Sequence, residues 1–430
     1  MSTTPSTSFS SSRPGTEEVG DLQARYQRAR RTTVELCESL SPEDCVVQSM
    51  PNCSPTKWHL AHTSWFFETF ILERTIPDYV GFNPEFRILF NSYYQSVGEQ
   101  YSRPLRGLLS RPTLQEVFEY RKHVDRCVIS VLEDEEKRSA VAGVIELGIQ
   151  HEQQHQELIL TDIKHMFSFN PLRPAYSRIV APAGLCQPLS WIRYEGGLEW
   201  IGHEGDSFAF DNEEPRHRVF IEPFELASRP VTNGEYVAFM EAGGYERPDL
   251  WLSDGWYAVQ DQHWRHPLYW ESRDGAWFSF TLSGLRELKP EEPVCHVSFY
   301  EADAFARWAG ARLPTEAEWE SVASEESVAG NFAEQRLLHP APGADHREGA
   351  AQMFGDVWEW TQSPYTPYPG FNPAEGALGE YNGKFMCNQI VLRGGSCATP
   401  QSHIRATYRN FFPPDSRWQF SGVRLARNVK

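Results

Sequence analysis

His151-Glu-Gln-Gln-His155 lies inside a run in which apolar residues recur at helical spacing: Val141, Val144, Ile145 and Leu147, then Leu158, Ile159 and Leu160. That period is helical, and residues four apart stand one turn above each other. Both imidazoles therefore face the same way and can share one ion. A third ligand must come from elsewhere. The candidate is His62, in Trp58-His-Leu-Ala-His62-Thr-Ser-Trp-Phe-Phe-Glu-Thr-Phe on an earlier helix, with His59 as its competitor. An antiparallel bundle brings the two stretches opposite each other.

The same periodicity returns at Leu22, Tyr26 and Ala29, and at Leu114, Val117, Phe118 and Tyr120, enough for three or four long helices. Pro42, Pro51, Pro55 and Pro77 fall at connections, and the turn-rich run from Asn83 to Pro112 makes a long loop. Residues 1–18, rich in Ser, Thr and Pro, cannot offset their ordering entropy and are expected to form a disordered tail. A helical domain over 19–170 is followed by a linker at 171–190, marked by Pro171, Pro174, Pro182, Gly184 and Pro188. Residues 191–430 are dense in Gly, Pro and Trp. Short strands are expected at Arg218–Ile221, Pro293–Ser298 and Gln389–Arg393, with helices at Asn233–Ala242 and Tyr300–Ala309, the latter closed by Gly310. The whole reads as an α+β multidomain protein, with no repeat, phosphate loop or dinucleotide fingerprint.

Forty Lys plus Arg against 58 Asp plus Glu give the 430-residue chain a net charge of -18. This repels polyphosphate and anionic lipid, so neither nucleic acid nor a membrane surface is an expected partner. No stretch approaches about 18 consecutive apolar residues, and MSTTPSTSFSSSRPGT lacks the order of a secretory signal, so a cytoplasmic protein is expected. The eight cysteines form no CxxC pair, which argues against a disulfide framework and a cysteine zinc site.

His151 to His155 also matches the H-E-x-x-H pattern of zinc proteases. That reading lacks a ligand, because Gln156 to Asp162 offers no H-x-x-G-x-x-H continuation. Spacing alone leaves a metal site and a solvated helix face both open.

His59 to Leu72 and His151 to Leu160 resemble the metal-binding helices of DinB-like four-helix bundles. The C-terminal half resembles a formylglycine-generating-enzyme or sulfatase-modifying domain, of C-type-lectin-like fold. The matching phrases are Glu199-Trp-Ile-Gly, Phe210-Asp-Asn-Glu-Glu-Pro-Arg-His-Arg-Val, Pro230-Val-Thr-Asn-Gly-Glu-Tyr, Arg312-Leu-Pro-Thr-Glu-Ala-Glu-Trp-Glu, Gly355-Asp-Val-Trp-Glu-Trp and Leu392-Arg-Gly-Gly-Ser-Cys. From Asp21 to Lys430 the two halves in this order resemble the iron(II)-dependent sulfoxide synthases of ergothioneine biosynthesis.

The resemblance implies that His62, His151 and His155 bind one Fe(II), with dioxygen as co-substrate. Three neutral imidazoles leave three octahedral positions for thiolate, substrate imidazole and dioxygen. Glu152 then becomes a solvated or supporting group. The implied reaction joins the sulfur of cysteine to the imidazole carbon between the ring nitrogens of Nα-trimethylhistidine (hercynine), with oxidation to the sulfoxide. Both substrates together supply the four electrons, so no nicotinamide or flavin is required.

A phenol near the iron is the usual proton donor in such chemistry. Tyr93 and Tyr94, in Phe90-Asn-Ser-Tyr-Tyr-Gln, are the implied catalytic pair, Tyr381 is the rival, and a packed tyrosine beside an exposed one is the bland alternative. Gln154 is implied to hydrogen-bond the substrate imidazole, unless it is only a helix-surface residue. Arg409-Asn410-Phe411-Phe412 is similar to the family's R-N-W phrase, in which Asn410 would contact the betaine and Phe411 line its trimethylammonium pocket. Relatives using γ-glutamylcysteine carry aspartate where Phe412 stands, which points to free cysteine. Arg103 and Arg106 form the expected carboxylate clamp, surface arginines being the alternative. The Gly355 and Leu392 phrases read as structural, and Cys387 and Cys397 do not match the paired cysteines of formylglycine-type enzymes. The rival readings are γ-glutamylcysteine as thiol, an ovothiol-type synthase, which commonly appends a methyltransferase domain not seen before Lys430, a non-redox DinB-type thiol transferase, and a non-catalytic binding protein.

Overall fold

The computed structural model describes residues 15–180, 182, 184–343 and 349–429. Residues 1–14 of the expected tail lie outside the described residues, and the first helix, Gly15–Glu35, starts within the remainder of that stretch. Helices Thr56–Phe67, Leu114–Glu133 and Glu135–Ser168 complete a bundle of four long helices. The second bundle helix is buried at every position from Thr56 to Phe67. It has no polar face because it is enclosed on all sides, and it runs on through a π-helical turn, Glu68–Leu72. A capping box of Thr113 with Glu116 starts the third helix. Asp134 then ends that helix and N-caps the fourth, accepting from the Lys137 amide.

Glu152 is neither solvated nor beside the ion-binding face. It is fully buried, accepting from the Arg30 guanidinium at 2.9 Å and the Arg121 guanidinium at 2.7 Å. These ion pairs tie the fourth helix to the first and third, with Arg121 also donating to the Leu60 carbonyl of the second. The sequence presents Glu152 between two histidines, but one residue along a helix turns the side chain about 100°.

Beyond the bundle, strands Trp191–Tyr194, Phe224–Ala227 and Ala426–Asn428 form a sheet that joins the two ends of the C-terminal half. A second sheet pairs Asn410–Phe412, Ile390–Arg393, Trp358–Pro364 and Ser421–Gly422 in that order, and Gly197–Ile201 with His217–Ile221 makes a hairpin. Helices Asn233–Glu241, Phe299–Trp308 and Glu316–Ala323 each start in a capping box, from Thr232, Ser298 and Thr315. Gly310 has the positive φ, 67°, expected after the second of these. Pro293–Ser298 is not a strand: Pro293 makes only a single bridge to Thr232, the Val294 and His296 amides serve different partners, and His296 has a positive φ. Glu359 and Arg424, both fully buried, pair at 2.7 Å beside Trp319, which also donates to Glu359. The Gly355 to Trp360 phrase is thus core.

The fourth bundle helix is also the seam between the halves. The Trp358 indole, Ser396 and Thr399 hydroxyls donate to Glu157 at 2.8, 2.6 and 2.7 Å, and Lys164 meets His296 at 2.6 Å. No described helix is long and apolar enough to cross a membrane.

Replacing Glu152 by alanine leaves the buried Arg121 guanidinium without its carboxylate and Arg30 with Asp125 alone. A loss of about 3–5 kcal/mol in urea unfolding at neutral pH is expected. Arg30 and Arg121 hold the Glu152 carboxyl down at about 2, below its ordinary 4.5. Its stabilisation is therefore full above pH 4.5 and lost as pH falls toward 2, so the difference between Glu152→Ala and the parent should shrink over that window.

Candidate metal centre

Among the described residues, one group of histidine, cysteine or acidic side chains can hold a metal ion: His62, His151 and His155, whose ligand atoms all lie within 4.8 Å of one another. All three are buried. His62 comes from the second helix and the other two from the fourth, which pack directly on each other.

Two of the rings, His62 and His155, are held by hydrogen-bond partners that direct their chemistry. His62 lies between Trp58, stacked at 4.5 Å and 13°, and Trp65, at 5.6 Å and 15°. Its Nδ1 donates to the Phe90 carbonyl at 2.6 Å, and that carbonyl is positioned because the Trp58 and Trp65 indoles donate to Leu89 and Arg87 just before it. A carbonyl only accepts, so the proton is on Nδ1 and Nε2 keeps its lone pair. Nε2 is buried with no hydrogen-bond partner.

His59 lies outside the trio, with both ring nitrogens engaged by neighbours. Its Nε2 meets Asp162 Oδ2 at 3.1 Å and its Nδ1 meets His155 Nδ1 at 2.7 Å. The carboxylate only accepts, so the neutral His59 ring carries its proton on Nε2 and offers the Nδ1 lone pair. His155 must then donate from Nδ1, which leaves its Nε2 free for a metal. Such a carboxylate and histidine pair behind a ligand fixes tautomer and orientation. His151 also keeps an unpartnered buried nitrogen, Nδ1. Burial lowers all three ligands, His151 to about 3, and the rings lower one another. Three neutral imidazoles with unsatisfied lone pairs fit a divalent transition metal.

Around this trio the expected site residues separate. Arg106 is buried, its guanidinium carbon 3.3 Å from the centroid of the Trp58 ring whose stack continues to His62. It donates to Ser54 and Ser92 hydroxyls, and no described carboxylate pairs with it. Burial pushes it down to about 8. Arg103 is exposed and donates to the Asn52 carbonyl, and its charge also lowers Arg106.

Tyr94 is buried against Trp65 and Phe70, with Tyr93 stacked on it at 4.6 Å. Tyr381, from the other half, reaches closer to the ligands: its ring is 5.7 Å from that of His151, and it lies 6.2 Å from Tyr93. Burial raises all three phenols well above 10. Gln154 is half-buried and faces this cluster, accepting from the Tyr381 hydroxyl and donating to Tyr408 at 2.7 Å. Tyr408 in turn meets His403 Nε2 at 2.9 Å, and His403 Nδ1 meets Gln150 at 2.7 Å. Phe411 stacks on Tyr365 at 4.0 Å, with Asn410 beside it on the same strand. The loop of Tyr93 is clasped by Glu380, which accepts from the Gln95 and Ser96 amides at 3.0 Å each. Sequence reasoning missed His59 as a support, Asp162, Tyr408 and His403. Asp162 had a signal: with His151 and His155 it falls at i, i+4 and i+11, one face of a helix.

Residues 187–347 and 344–429 match the sulfatase-modifying factor enzyme 1-like domain, and residues 25–159 match the DinB superfamily. The chain is 32% identical to a hercynine oxygenase of Mycobacterium tuberculosis, over 95% of this chain and 99% of that protein. It is 33% identical to a hercynine oxygenase of Mycolicibacterium smegmatis, over 93% and 97%. A formylglycine-generating enzyme of Streptomyces coelicolor is 30% identical over 60% of this chain and 96% of its own length.

His62→Ala should abolish retention of a divalent metal, whereas His59→Phe, which keeps a ring but breaks the link to Asp162, should weaken affinity about 10- to 100-fold. Chelator competition and metal analysis distinguish the two. Normal metal content in His62→Ala would move the third ligand to His59.

Proposed function

This chain belongs to the hercynine oxygenase family, and on that premise we propose that it joins the thiol sulfur of cysteine to the imidazole of hercynine and oxidises it to the sulfoxide, using dioxygen. The carrying observation is the buried trio of neutral imidazoles with unpartnered nitrogens. His62, His151 and His155 would hold iron(II), which would supply the redox chemistry with dioxygen. One C–H and one S–H bond give way to the C–S bond, and the sulfur takes one oxygen atom. The other oxygen atom leaves as water, which balances the four electrons.

The residues divide the remaining work. Arg106, a buried cation without a carboxylate partner, binds the carboxylate of the thiol substrate. Gln154 orients the hercynine imidazole, its amide held between Tyr381 and Tyr408. Asn410 contacts the betaine, and Phe411 supplies a ring face for its methyl groups. Tyr93, Tyr94 and Tyr381 all hold their phenolic protons, because burial raises each one, and are the candidate proton donors. The contact of Tyr381 with His151 favours Tyr381. Phe412, where an acid would grip a γ-glutamyl ammonium, favours free cysteine. In this reading residues 19–170 carry the metal, and residues 191–430 form a substrate-binding domain that shares substrate selectivity with them. All eight cysteines are free thiols, which suits a cytoplasmic enzyme.

Anaerobic reconstitution with Fe(II), then addition of air, cysteine and hercynine, should consume oxygen and give the sulfoxide by mass spectrometry. Product with neither cysteine nor γ-glutamylcysteine rejects the proposal. Arg106→Leu should raise the cysteine KM at least ten-fold. Tyr381→Phe should shift turnover from sulfoxide toward thiol oxidation, and wild-type partitioning there returns the role to the Tyr93 and Tyr94 pair.

A further inference from the structure

Six aromatic rings form a closed circuit beside the histidine trio. Phe210 stacks on Tyr381 at 5.5 Å and 6°, Tyr381 meets Tyr93 at 6.2 Å, and Tyr93 meets Phe385 at 5.2 Å. Phe385 lies 6.0 Å from Phe411, which stacks on Tyr365 at 4.0 Å. The Tyr365 hydroxyl accepts from the Asn212 side chain at 2.8 Å, and Asn212 is two residues from Phe210, where the circuit began. The residue between them is Asp211.

Asp211 is held by the Asn382 side chain and by the Ala374 and Asn212 backbones. Its Oδ1 accepts from Asn382, next to Tyr381, at 2.6 Å. Its Oδ2 is buried with no hydrogen-bond partner. Its charge acts on the phenols of Tyr93, Tyr365 and Tyr381, raising each, so it lies near three rings of the circuit. Burial pushes the Asp211 carboxyl itself upward, with Glu213 adding to the rise, while the hydrogen bonds from Asn382, Ala374 and Asn212 pull it down.

The missing partner has a defined chemistry. A primary ammonium brings N–H donors that call for several acceptors, whereas the surroundings of Asp211 Oδ2 are aromatic rings and the one unpartnered carboxylate oxygen. A quaternary ammonium has no donor, spreads its charge over methyl groups, and packs on aromatic faces. We infer that Asp211 supplies the counter-charge for the quaternary ammonium of the substrate, with the six rings as walls. This rests on the proposed reading of hercynine as substrate and assigns the residue that reads its charge.

The test uses the iron-loaded enzyme kept anaerobic. Calorimetry gives the affinities of hercynine, of choline, and of 3,3-dimethylbutanol, the uncharged carbon isostere of choline. Wild type should bind choline more tightly than the isostere. Asp211→Asn, which keeps the size and one acceptor oxygen, should lose at least ten-fold in hercynine and choline affinity. Isostere affinity and the cysteine affinity, read in the same way, should stay within two-fold, a pattern that mere structural damage would not produce. Should Asp211→Asn melt below wild type, Asp211→Glu, which retains charge but moves it outward by one methylene, takes its place with the same order of losses. Unchanged hercynine and choline affinities, equal losses for choline and isostere, or a loss confined to cysteine would each overturn the inference. Failure of wild type to bind hercynine, with choline still discriminated from its isostere, would overturn the substrate reading and leave the quaternary-ammonium site standing.

Discussion

Three imidazoles packed within 4.8 Å of one another in a buried place must all be neutral, since two imidazolium charges at that range would repel strongly at the low effective dielectric of an interior. Neutrality is not enough. Each ring must also point a lone pair inward, and an imidazole chooses between two tautomers of similar energy. The structure settles that choice for His62 with the Phe90 carbonyl and for His155 with the His59–Asp162 pair. Much of the bundle follows. The enclosed second helix brings His59 and His62 to the same side, and the Trp58 and Trp65 indoles pin the loop whose carbonyl orients His62.

The fourth helix meets several demands at different angles. One face carries His151, His155 and Asp162, another sends Glu152 into the arginine pairs of the bundle, and a third sends Gln154, Glu157 and Lys164 into the C-terminal half. This is why its sequence reads poorly as an amphipathic helix: nearly all its central positions are buried, against three different environments. It also explains how a tyrosine from a distant stretch, Tyr381, comes to lie against a bundle histidine. The Glu157 contacts set the height of the helix on the second sheet, and the Glu380 clasp sets the loop opposite.

The sequence makes the four helices and the i, i+4 histidines legible because their signals are local. Capping boxes at Thr113, Thr232, Ser298 and Thr315 are equally local and mark helix starts in both halves. What is not legible depends on which way a side chain turns in three dimensions. Arg103 and Arg106 look alike three residues apart, yet one reaches a surface carbonyl and the other is buried under an indole. His59 and His62 look equally able to bind metal until the partner of each second nitrogen is known. Glu152 looks like part of a protease motif until its neighbours prove to be arginines. Pro293–Ser298 has strand composition, but its amides are claimed one by one by different parts of the chain.

The treatment of charge separates structure from site. Among the described buried arginines, Arg30, Arg121, Arg229, Arg393, Arg409, Arg417 and Arg424 each pair with a carboxylate, which is the condition for tolerating a charge in an interior. Arg106 is the exception, holding only two hydroxyls. Asp211 is its negative counterpart, with one oxygen satisfied and the other bare. The two are reached through different ligands of the trio, Arg106 by way of Trp58 and His62, Asp211 by way of Tyr381 and His151. A fold that pairs its other described buried arginines with carboxylates yet leaves Arg106 on two hydroxyls has a cation there to be completed from outside. The anion it lacks suits the carboxylate of an amino acid, and the cation it lacks suits an ammonium without hydrogens. In the proposed reaction these would be the two substrates, brought to the histidine trio from two directions.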